Sequence, residues 1–249
     1  MEFTQEQLRH EAEFADEHYA PYAHSLDVNP VMLAKYVSPK NLWDWREYGA
    51  HLLGPVRDCD LLDLGCGMGE EATYFAKLGA RVTAIDISPV GIDIARQRAA
   101  HNGVGDRVKA VVMRADEPDF ESDSFDVVHG FGILHHIGLE RGLKQVRRML
   151  RPGGRGLFFE HMGNSALIER FRSRADCTDY EQPVRLSDVV QHTRAYSKAV
   201  ITPFGVLLRL RTISPKLNIS VIRRLDYVLL KAAPVLRHFA GGVVIYLEK

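Results

Sequence analysis

The fold of this chain is decided by LLDLGCGMG, residues 61–69. An apolar run that ends in closely spaced glycines is typical of a buried strand followed by a tight turn. A helix is predicted to follow over 70–78, since Glu70 and Glu71 would lie at the positive end of its dipole. The stretch therefore predicts the first strand, loop and helix of a βαβ unit.

Short apolar runs and amphipathic stretches continue to alternate after this unit. Further strands are predicted at 81–86, 108–114, 125–130 and 156–160. A helix is predicted from Ser88-Pro89, which has the form of an N-cap followed by proline, and another over 139–150, ended by Pro152-Gly153-Gly154. The alternation indicates an α/β fold with an open, doubly wound parallel sheet. Two more strand-like runs, near 199–210 and 241–247, are expected to pair in antiparallel fashion.

Composition excludes several classes of protein. The chain has 249 residues, of which 46% are hydrophobic and 26% charged, as in ordinary globular domains. The 32 basic and 32 acidic residues cancel, so no basic excess favours nucleic acid. The longest run without a charged residue, between Asp126 and Glu140, is too short to cross a membrane. Three scattered cysteines predict neither a disulfide framework nor a metal site, and we expect a cytoplasmic protein.

The chain divides into two regions that differ in composition and in predicted structure. Residues 1–57 are rich in Glu, His, Tyr and Trp and are predicted to form a helical N-terminal cap or lid. Residues 58–249 are predicted to form the sheet domain, with insertions over the acceptor site at about 161–198 and 214–237. Trp43 and Trp45 cannot share one helical face, so a homo-oligomer through the N-terminal region is a further expectation.

Acidic residues follow three predicted strands, at the edge where such sheets bind ligands. The glycine spacing is GxGxG, because position 70 is Glu where a dinucleotide site has its third glycine. Asp63 would repel a phosphate but suits an ammonium group. Asp86 suits the two hydroxyls of a ribose, and Asp116 suits the exocyclic amine of an adenine. An adenosine with a charged amino-acid tail fits all three acids.

The motifs together resemble the class I S-adenosylmethionine-dependent methyltransferases that act on small molecules. The matching segments, in the order of that family, are LLDLGCGMG (61–69), AIDIS (84–88), RADE (114–117), FDVVHGFGILHHI (125–137) and MLRPGGR (149–155). The resemblance implies S-adenosyl-L-methionine as the cofactor and no metal. It also implies a Rossmann-like, seven-stranded, mostly parallel sheet with an antiparallel last strand, helices on both faces and a helical N-terminal cap.

The resemblance assigns cofactor contacts residue by residue. It places the glycine loop at the methionine end of the cofactor, Asp63 near the ammonium group of the cofactor, and Asp86 at its ribose. The set of implied cofactor residues is Asp63, Gly65, Cys66, Gly67, Gly69, Asp86, Ile87, Ala115, Asp116 and Gly130. Transfer in this family depends mainly on holding the acceptor and the methyl donor in line.

The catalytic candidates are His135, His136, His161, Tyr19 and Tyr22. The three histidines lie at the predicted ends of the fourth and fifth strands, and histidine titrates near neutral pH, which suits a general base. The two tyrosines belong to the N-terminal region, which caps the acceptor site in related enzymes. Ordinary packing of that region onto the sheet is the alternative explanation for them.

The acceptor lies outside the shared motifs. Zero net charge, and HGFG at 129–132 in place of the Asp/Asn-Pro-Pro-aromatic motif of DNA amino-methylating enzymes, disfavour nucleic acid. We expect a small, lipophilic, natural-product-like acceptor from secondary metabolism. Methylation at a carbon atom is favoured, because aromatic faces stabilise the cation that develops during that reaction. O-methylation of a hydroxyl is the alternative. A binding-only protein that kept the cofactor fold and an NAD-dependent oxidoreductase are the rival classes.

Overall fold

The computed structural model describes residues 3–163, 184–208, 216 and 218–249. Its strands are β1 (Asp60–Leu64), β2 (Arg81–Asp86), β3 (Val108–Val112), β4 (Phe125–Phe131), β5 (Leu150–His161), β6 (Lys198–Phe204) and β7 (Gly242–Glu248). They form one sheet in the order β3-β2-β1-β4-β5-β7-β6. β7 runs antiparallel to both of its neighbours, and the pairings among β1 to β5 are parallel. The predicted fold class is confirmed.

The helices of the described residues lie on both faces of the sheet. They are α1 (Gln5–Tyr19), α2 (Pro30–Val37), α3 (Trp45–Leu53), α4 (Glu70–Lys77), α5 (Pro89–His101), α6 (Leu134–Ile137), α7 (Leu139–Met149), α8 (Leu186–His192) and α9 (Ile219–Ala232). Polar side chains cap several of them at the N-terminus. Ser88, for example, accepts from the Gly91 N–H at the start of α5, as its sequence context predicts.

Both faces of the sheet are buried because neighbouring residues of each strand point to opposite sides. In β1, Leu61 belongs to one apolar cluster, whereas Leu62 and Leu64 belong to the other. The strand order reverses between β1 and β4, since β2 and β3 extend from one side and β5 from the other. A crevice at the carboxyl ends of β1 and β4 is therefore the expected ligand site.

Several boundaries differ from the sequence-based prediction. β3, for example, ends at Val112 instead of residue 114. α7 ends at Met149, and β5 begins at Leu150 instead of residue 156. Leu150 pairs with Phe125, and a register shift follows, so the Pro-Gly-Gly segment lies inside an irregular part of β5. β6 ends at Phe204 instead of residue 210, because Gly205 takes a left-handed conformation with φ +84°. β7 lies between β5 and β6, and so pairs with β5 as well.

The apolar stripe of α9 faces outward. Apolar residues at helical spacing are typical of a core-facing stripe, yet Val221, Leu225 and Val228 are 55%, 55% and 57% exposed. The helix buries its other stripe, which includes Asp226. A buried acid is tolerated there because it accepts the backbone N–H groups of Gly205 (2.5 Å) and Leu207 (2.8 Å).

The N-terminal 57 residues consist of two parts. Buried residues of α2 and α3, among them Tyr36 and Leu53, belong to the same apolar cluster as Leu61 of β1. α1 instead contains no buried residue and packs over α5. Of the two predicted insertions, residues 164–183, 214–215 and 217 lie outside the described residues.

Candidate functional site

A cavity of about 540 Å³ lies at the carboxyl edge of the sheet. The glycine loop, the ends of β2, β4 and β5, and the inner side of α1 form its walls. The predicted site residues that line it are Tyr19, Gly65, Asp86, Ile87, Ala115, Asp116, His135, His136 and His161. Its volume lies within the range of small-molecule binding sites. The fold thus brings together residues that are far apart in the sequence.

The backbone conformation of the glycine loop requires glycine at three positions. Gly65, Gly67 and Gly69 have φ values of +69°, +50° and +70°, in the left-handed region that other residues rarely adopt. A Cβ atom on Gly65 would lie 2.5 Å from Ile133 Cδ1. A Cβ atom on Gly69 would lie 2.6 Å from Ala95 Cβ. The loop therefore brings bare backbone close to α5 and to the end of β4.

Asp86 joins the glycine loop to α5. Its carboxylate accepts the Gly67 N–H (2.8 Å) and the Ser88 N–H (2.9 Å). Burial raises the pKa of Asp86, and these two hydrogen bonds oppose that shift. The carboxylate also borders the cavity, where a ligand that donates hydrogen bonds would compensate for its desolvation.

Asp63 lies beneath the loop and is paired with a residue that the sequence analysis did not single out. His129 of β4 stands opposite Asp63 of β1 in the register, and its Nδ1 lies 2.8 Å from Asp63 Oδ1. Both side chains are buried. Asp63 Oδ2 has no hydrogen-bond partner among the described residues. A buried carboxylate oxygen without a partner fits a ligand that carries an ammonium group.

Asp116 is held by two arginines that were not predicted. Arg114 donates to both carboxylate oxygens (3.1 and 2.8 Å), and Arg141 donates to Oδ2 (3.0 Å). Burial by itself would raise the pKa of Asp116, but the two guanidinium groups hold it below its ordinary value. Asp116 therefore stays ionised, and any amine that it binds shares the carboxylate with the two arginines.

Three histidines that line the cavity lie close to one another. The rings of His135 and His136 lie 4.3 Å apart, and that of His161 lies 6.0 Å from His135. Glu160, whose role was not predicted, places Oε2 2.8 Å from His135 Nδ1 and accepts two N–H groups at the start of α6 through Oε1. A carboxylate at Nδ1 fixes the tautomer of a neutral imidazole, which leaves Nε2 as the basic atom.

Glu11 brings α1 into contact with the same wall. Its Oε2 atom lies 3.2 Å from His136 Nδ1. Further along α1, Asp16 accepts the Ser88 hydroxyl and the Val90 N–H, and so anchors the helix to the start of α5. These contacts join parts of the chain that are 72 or more residues apart, so no local pattern could predict them.

Tyr19 packs against the glycine loop. A Cβ atom on Gly67 would lie 3.1 Å from the Tyr19 hydroxyl, and one on Gly91 would lie 2.9 Å from its ring. Burial and the nearby Asp86 raise the pKa of Tyr19, so its hydroxyl stays protonated. Tyr22, by contrast, is half exposed and does not line the cavity.

The remaining predicted residues lie around the cavity but do not line it. Besides Tyr22, they are Asp63, Cys66, Gly67, Gly69 and Gly130. Trp45 packs on Phe131, Phe159 and Phe204, and the guanidinium of Arg224 lies over Trp43. Among the described residues, no group of three His, Cys, Asp or Glu side chains is arranged to hold a metal ion.

A ligand with the features inferred from the sequence fits this site. The glycine cradle admits a close approach of backbone, the partnerless Asp63 Oδ2 suits an ammonium group, and Asp86 suits a pair of hydroxyls. These are the groups of S-adenosylmethionine. None of the described helices is both long and apolar enough to span a bilayer.

Comparison with known proteins agrees with this geometry. Residues 61–154 match the family model described as a methyltransferase domain. The sterol 4-C-methyltransferase of Caenorhabditis elegans is 33% identical over 100 residues, which cover 40% of this chain and 30% of that protein. The 27-O-demethylrifamycin SV methyltransferase of Amycolatopsis mediterranei is 41% identical over 104 residues, which cover 41% of this chain and 38% of that protein. This chain thus spans less than half the length of either relative.

A solved structure extends the comparison to most of the fold. The geranyl diphosphate C-methyltransferase of Streptomyces coelicolor A3(2), in complex with S-adenosyl-L-homocysteine, superposes with a TM-score of 0.61 at 17% identity. The alignment covers 81% of this chain and 75% of that one. The family match over residues 61–154 contains β2 to β4, all of β1 but its first residue, the glycine loop, and the three acids Asp63, Asp86 and Asp116. Residues 61–154 therefore match a methyltransferase domain, and the fold as a whole is similar to that of a solved methyltransferase.

Proposed function

We propose that this chain transfers the methyl group of S-adenosylmethionine to a small, lipophilic acceptor. One observation carries the proposal: a single cavity is lined both by Gly65, Asp86 and Asp116 and by His135, whose Nδ1 lies 2.8 Å from Glu160 Oε2. We assign the first group of residues to the cofactor side, and His135 to the side of an acceptor that must lose a proton.

The cofactor side would hold its ligand through acids and backbone. Asp86 would accept the ribose hydroxyls, Asp63 Oδ2 would accept the ammonium group, and Asp116 would face the adenine amine. Ile87 and Ala115 supply apolar surface for the base. When bound, the cofactor supplies an electrophilic methyl group. The protein's task is then to align that group with the acceptor and to exclude water.

The acceptor side supports a lipophilic molecule. Its apolar lining residues are Phe3, Leu8, Phe14, Phe131, Ile133 and Ile137. Glu160 would fix His135 so that Nε2 takes a hydroxyl proton from the acceptor. Loss of that proton would make both the oxygen and an adjacent ring carbon nucleophilic.

Methylation at carbon is our first proposal and methylation at oxygen the second. The aromatic lining favours carbon, since ring faces stabilise a developing cation. The His135–Glu160 pair favours oxygen. The two relatives named above include one carbon and one oxygen methyltransferase by name.

The test is turnover of the full chain with a panel of lipophilic phenols, quinols and hydroxylated polyketides. Mass spectrometry should detect S-adenosylhomocysteine together with a product that has gained one methyl group, and NMR of the product distinguishes carbon from oxygen. Calorimetric titration with S-adenosylmethionine and NADH provides the control. Tight NADH binding without a response to S-adenosylmethionine would contradict the proposal, and cofactor binding without turnover of any acceptor would favour a binding-only protein.

A further inference from the structure

Charge is segregated along this chain. Residues 189–247 contain nine Lys and Arg residues and a single acid, Asp226, although the whole chain has no net charge. Asp226 is 3% exposed and is engaged by two backbone N–H groups. The described residues of this region therefore expose basic side chains and no acidic side chain. Such asymmetry indicates an anionic partner.

The same region exposes an apolar stripe. Val221, Leu225 and Val228 are spaced so that they share one face of α9, and each is more than half exposed. Val235 and Phe239, in the short helical turn after α9, are 69% and 48% exposed. The opposite stripe of the helix packs on the fold, whereas the apolar stripe stays exposed among the described residues.

Basic side chains flank the stripe. Arg224, Lys231 and Arg237 are exposed, and none of them has an acidic partner among the described residues. The Arg224 guanidinium lies 5.6 Å from the centre of the Trp43 ring, and the Lys231 ammonium lies 4.5 Å from that of Tyr227. An apolar helix face bordered by cations is the pattern of helices that lie in the interface of anionic membranes.

We define the docking face of α9 by three apolar and two basic residues, Val221, Arg224, Leu225, Val228 and Lys231. We propose that this face binds an anionic lipid surface, with the axis of α9 parallel to the surface. Nucleic acid would satisfy the basic residues but leave the apolar stripe against phosphates. A second copy paired through the same face would bring basic residues against basic residues. A lipid surface satisfies both, since it offers headgroup charge and an acyl boundary.

A second cavity lies next to the docking face. This cavity, of about 270 Å³, lies beneath α9 and includes Tyr227, Lys231 and Arg237 in its lining. Trp45 and Phe204 also line it and stack 5.2 Å apart, and Trp45 contacts Phe131, which lines the first cavity. If the proposed function holds, an aromatic series connects the lipid-facing side of the molecule to the acceptor site. Lipid binding itself does not depend on that function.

The test is flotation of the full chain with vesicles. Vesicles of phosphatidylcholine with about 30% phosphatidylglycerol should carry the protein upward, and pure phosphatidylcholine should carry at least about tenfold less. Raising the salt to about 0.5 M should reduce binding to the anionic vesicles, since charge attraction is screened. Equal binding to both vesicles, or binding to neither, would overturn the proposal regardless of how any variant folds.

Two double variants and one control locate the surface. Leu225→Glu with Val228→Glu, and separately Arg224→Glu with Lys231→Glu, should each reduce the bound fraction at least about tenfold. Val31→Glu changes an equally exposed valine (65%) on α2 and should leave binding unchanged. Circular dichroism checks that the variants are folded.

Two results would assign the docking face to another partner. If light scattering shows a dimer in solution that Leu225→Glu with Val228→Glu converts to a monomer, the face pairs with a second copy. If duplex DNA binds the wild type and the Arg224→Glu, Lys231→Glu variant loses that binding while vesicle binding persists, the basic residues serve nucleic acid. Either result overturns the lipid proposal.

Discussion

At the scale of single residues, Asp86 is the side chain on which we expect cofactor binding to depend most. Its carboxylate holds the Gly67 and Ser88 N–H groups and still borders the cavity. Asp86→Asn keeps the shape but loses the charge that would accept ribose hydroxyls. We expect S-adenosylmethionine to bind more weakly by about 1.5–3 kcal/mol in calorimetry. Asp93→Asn, on the exposed side of α5, should bind normally, and an unchanged affinity for Asp86→Asn would remove Asp86 from the site.

Substitution of Gly67 tests whether the glycine loop contacts the cofactor or needs glycine only to form its own turn. Gly67→Val and Gly103→Val both place a side chain at positive φ, so both should lower the melting temperature. Around Gly103 no atom lies within 4 Å of the added Cβ, whereas at Gly67 the Tyr19 hydroxyl lies at 3.1 Å. Only Gly67→Val should therefore weaken cofactor binding, by at least about tenfold. Equal affinities in the two variants would mean that the loop does not contact the cofactor.

His129 is expected to position Asp63 for an ammonium group. His129→Phe suits the neighbouring rings of Phe75 and Phe159 but removes the donor to Asp63. We expect the variant to bind S-adenosylmethionine about tenfold more weakly and to bind 5′-methylthioadenosine, which lacks the amino-acid tail, as the wild type does. His129→Asn, which keeps an N–H donor, should restore part of the loss. An equal loss for both ligands would indicate a purely structural role.

At the scale of elements, Asp44 connects three helices. It caps α3 through the N–H groups of Arg46 and Glu47, and it accepts from Lys35 of α2 and Arg223 of α9. Burial opposes ionisation of Asp44, but the Lys35 hydrogen bond and the Arg223 charge outweigh it and lower the pKa. One carboxylate therefore compensates two partly buried cations.

Asp44→Asn should lower the free energy of unfolding by about 3 kcal/mol in urea at pH 7, although Asn still caps a helix. Because the folded-state pKa is depressed, the stabilisation is present above the ordinary carboxyl pKa of about 3.9. It is lost as the pH falls through the lower folded-state value, so the two proteins should converge in acid. Glu13→Gln, in an exposed pair with Arg9, should cost less than about 0.5 kcal/mol. A difference that persists unchanged at pH 3 would contradict the assignment.

At the scale of the whole molecule, we expect α1 to close the cavity without supporting the fold. It buries no residue completely, yet Glu11, Phe14 and Tyr19 line the site. Deleting residues 1–24 should spare the sheet and much of the cofactor affinity. Turnover should fall at least about tenfold, or about 1.4 kcal/mol in the barrier, because the cavity loses one wall.

The outcome of the truncation separates three roles for α1. Full turnover by the truncated chain would show that α1 is no lid, and loss of the folded state would show that it belongs to the core. Turnover by Tyr19→Phe then reports whether the hydroxyl at the glycine loop matters or only the ring.

The sequence by itself determined the strand–loop–helix unit at 61–77, the cap of α5 and the parallel arrangement of the first five strands. These depend on local chemistry: strand periodicity, glycines at positive φ, and a Ser-Pro pair that begins a helix. The same local reasoning placed Asp86, Asp116 and the three histidines at one edge of the sheet, because parallel strands end on the same side.

Only the tertiary structure decided which groups are partners. His129 meets Asp63 across 66 residues, Arg141 meets Asp116 across 25, and Glu160 meets His135 across 25. The outward face of α9 was likewise decided by a distant contact, since Asp226 can be buried only where the backbone after β6 supplies its donors. Such pairs depend on strand register and on how helices dock. Local periodicity carries no information about either, because it records which residues share a face and not what that face meets.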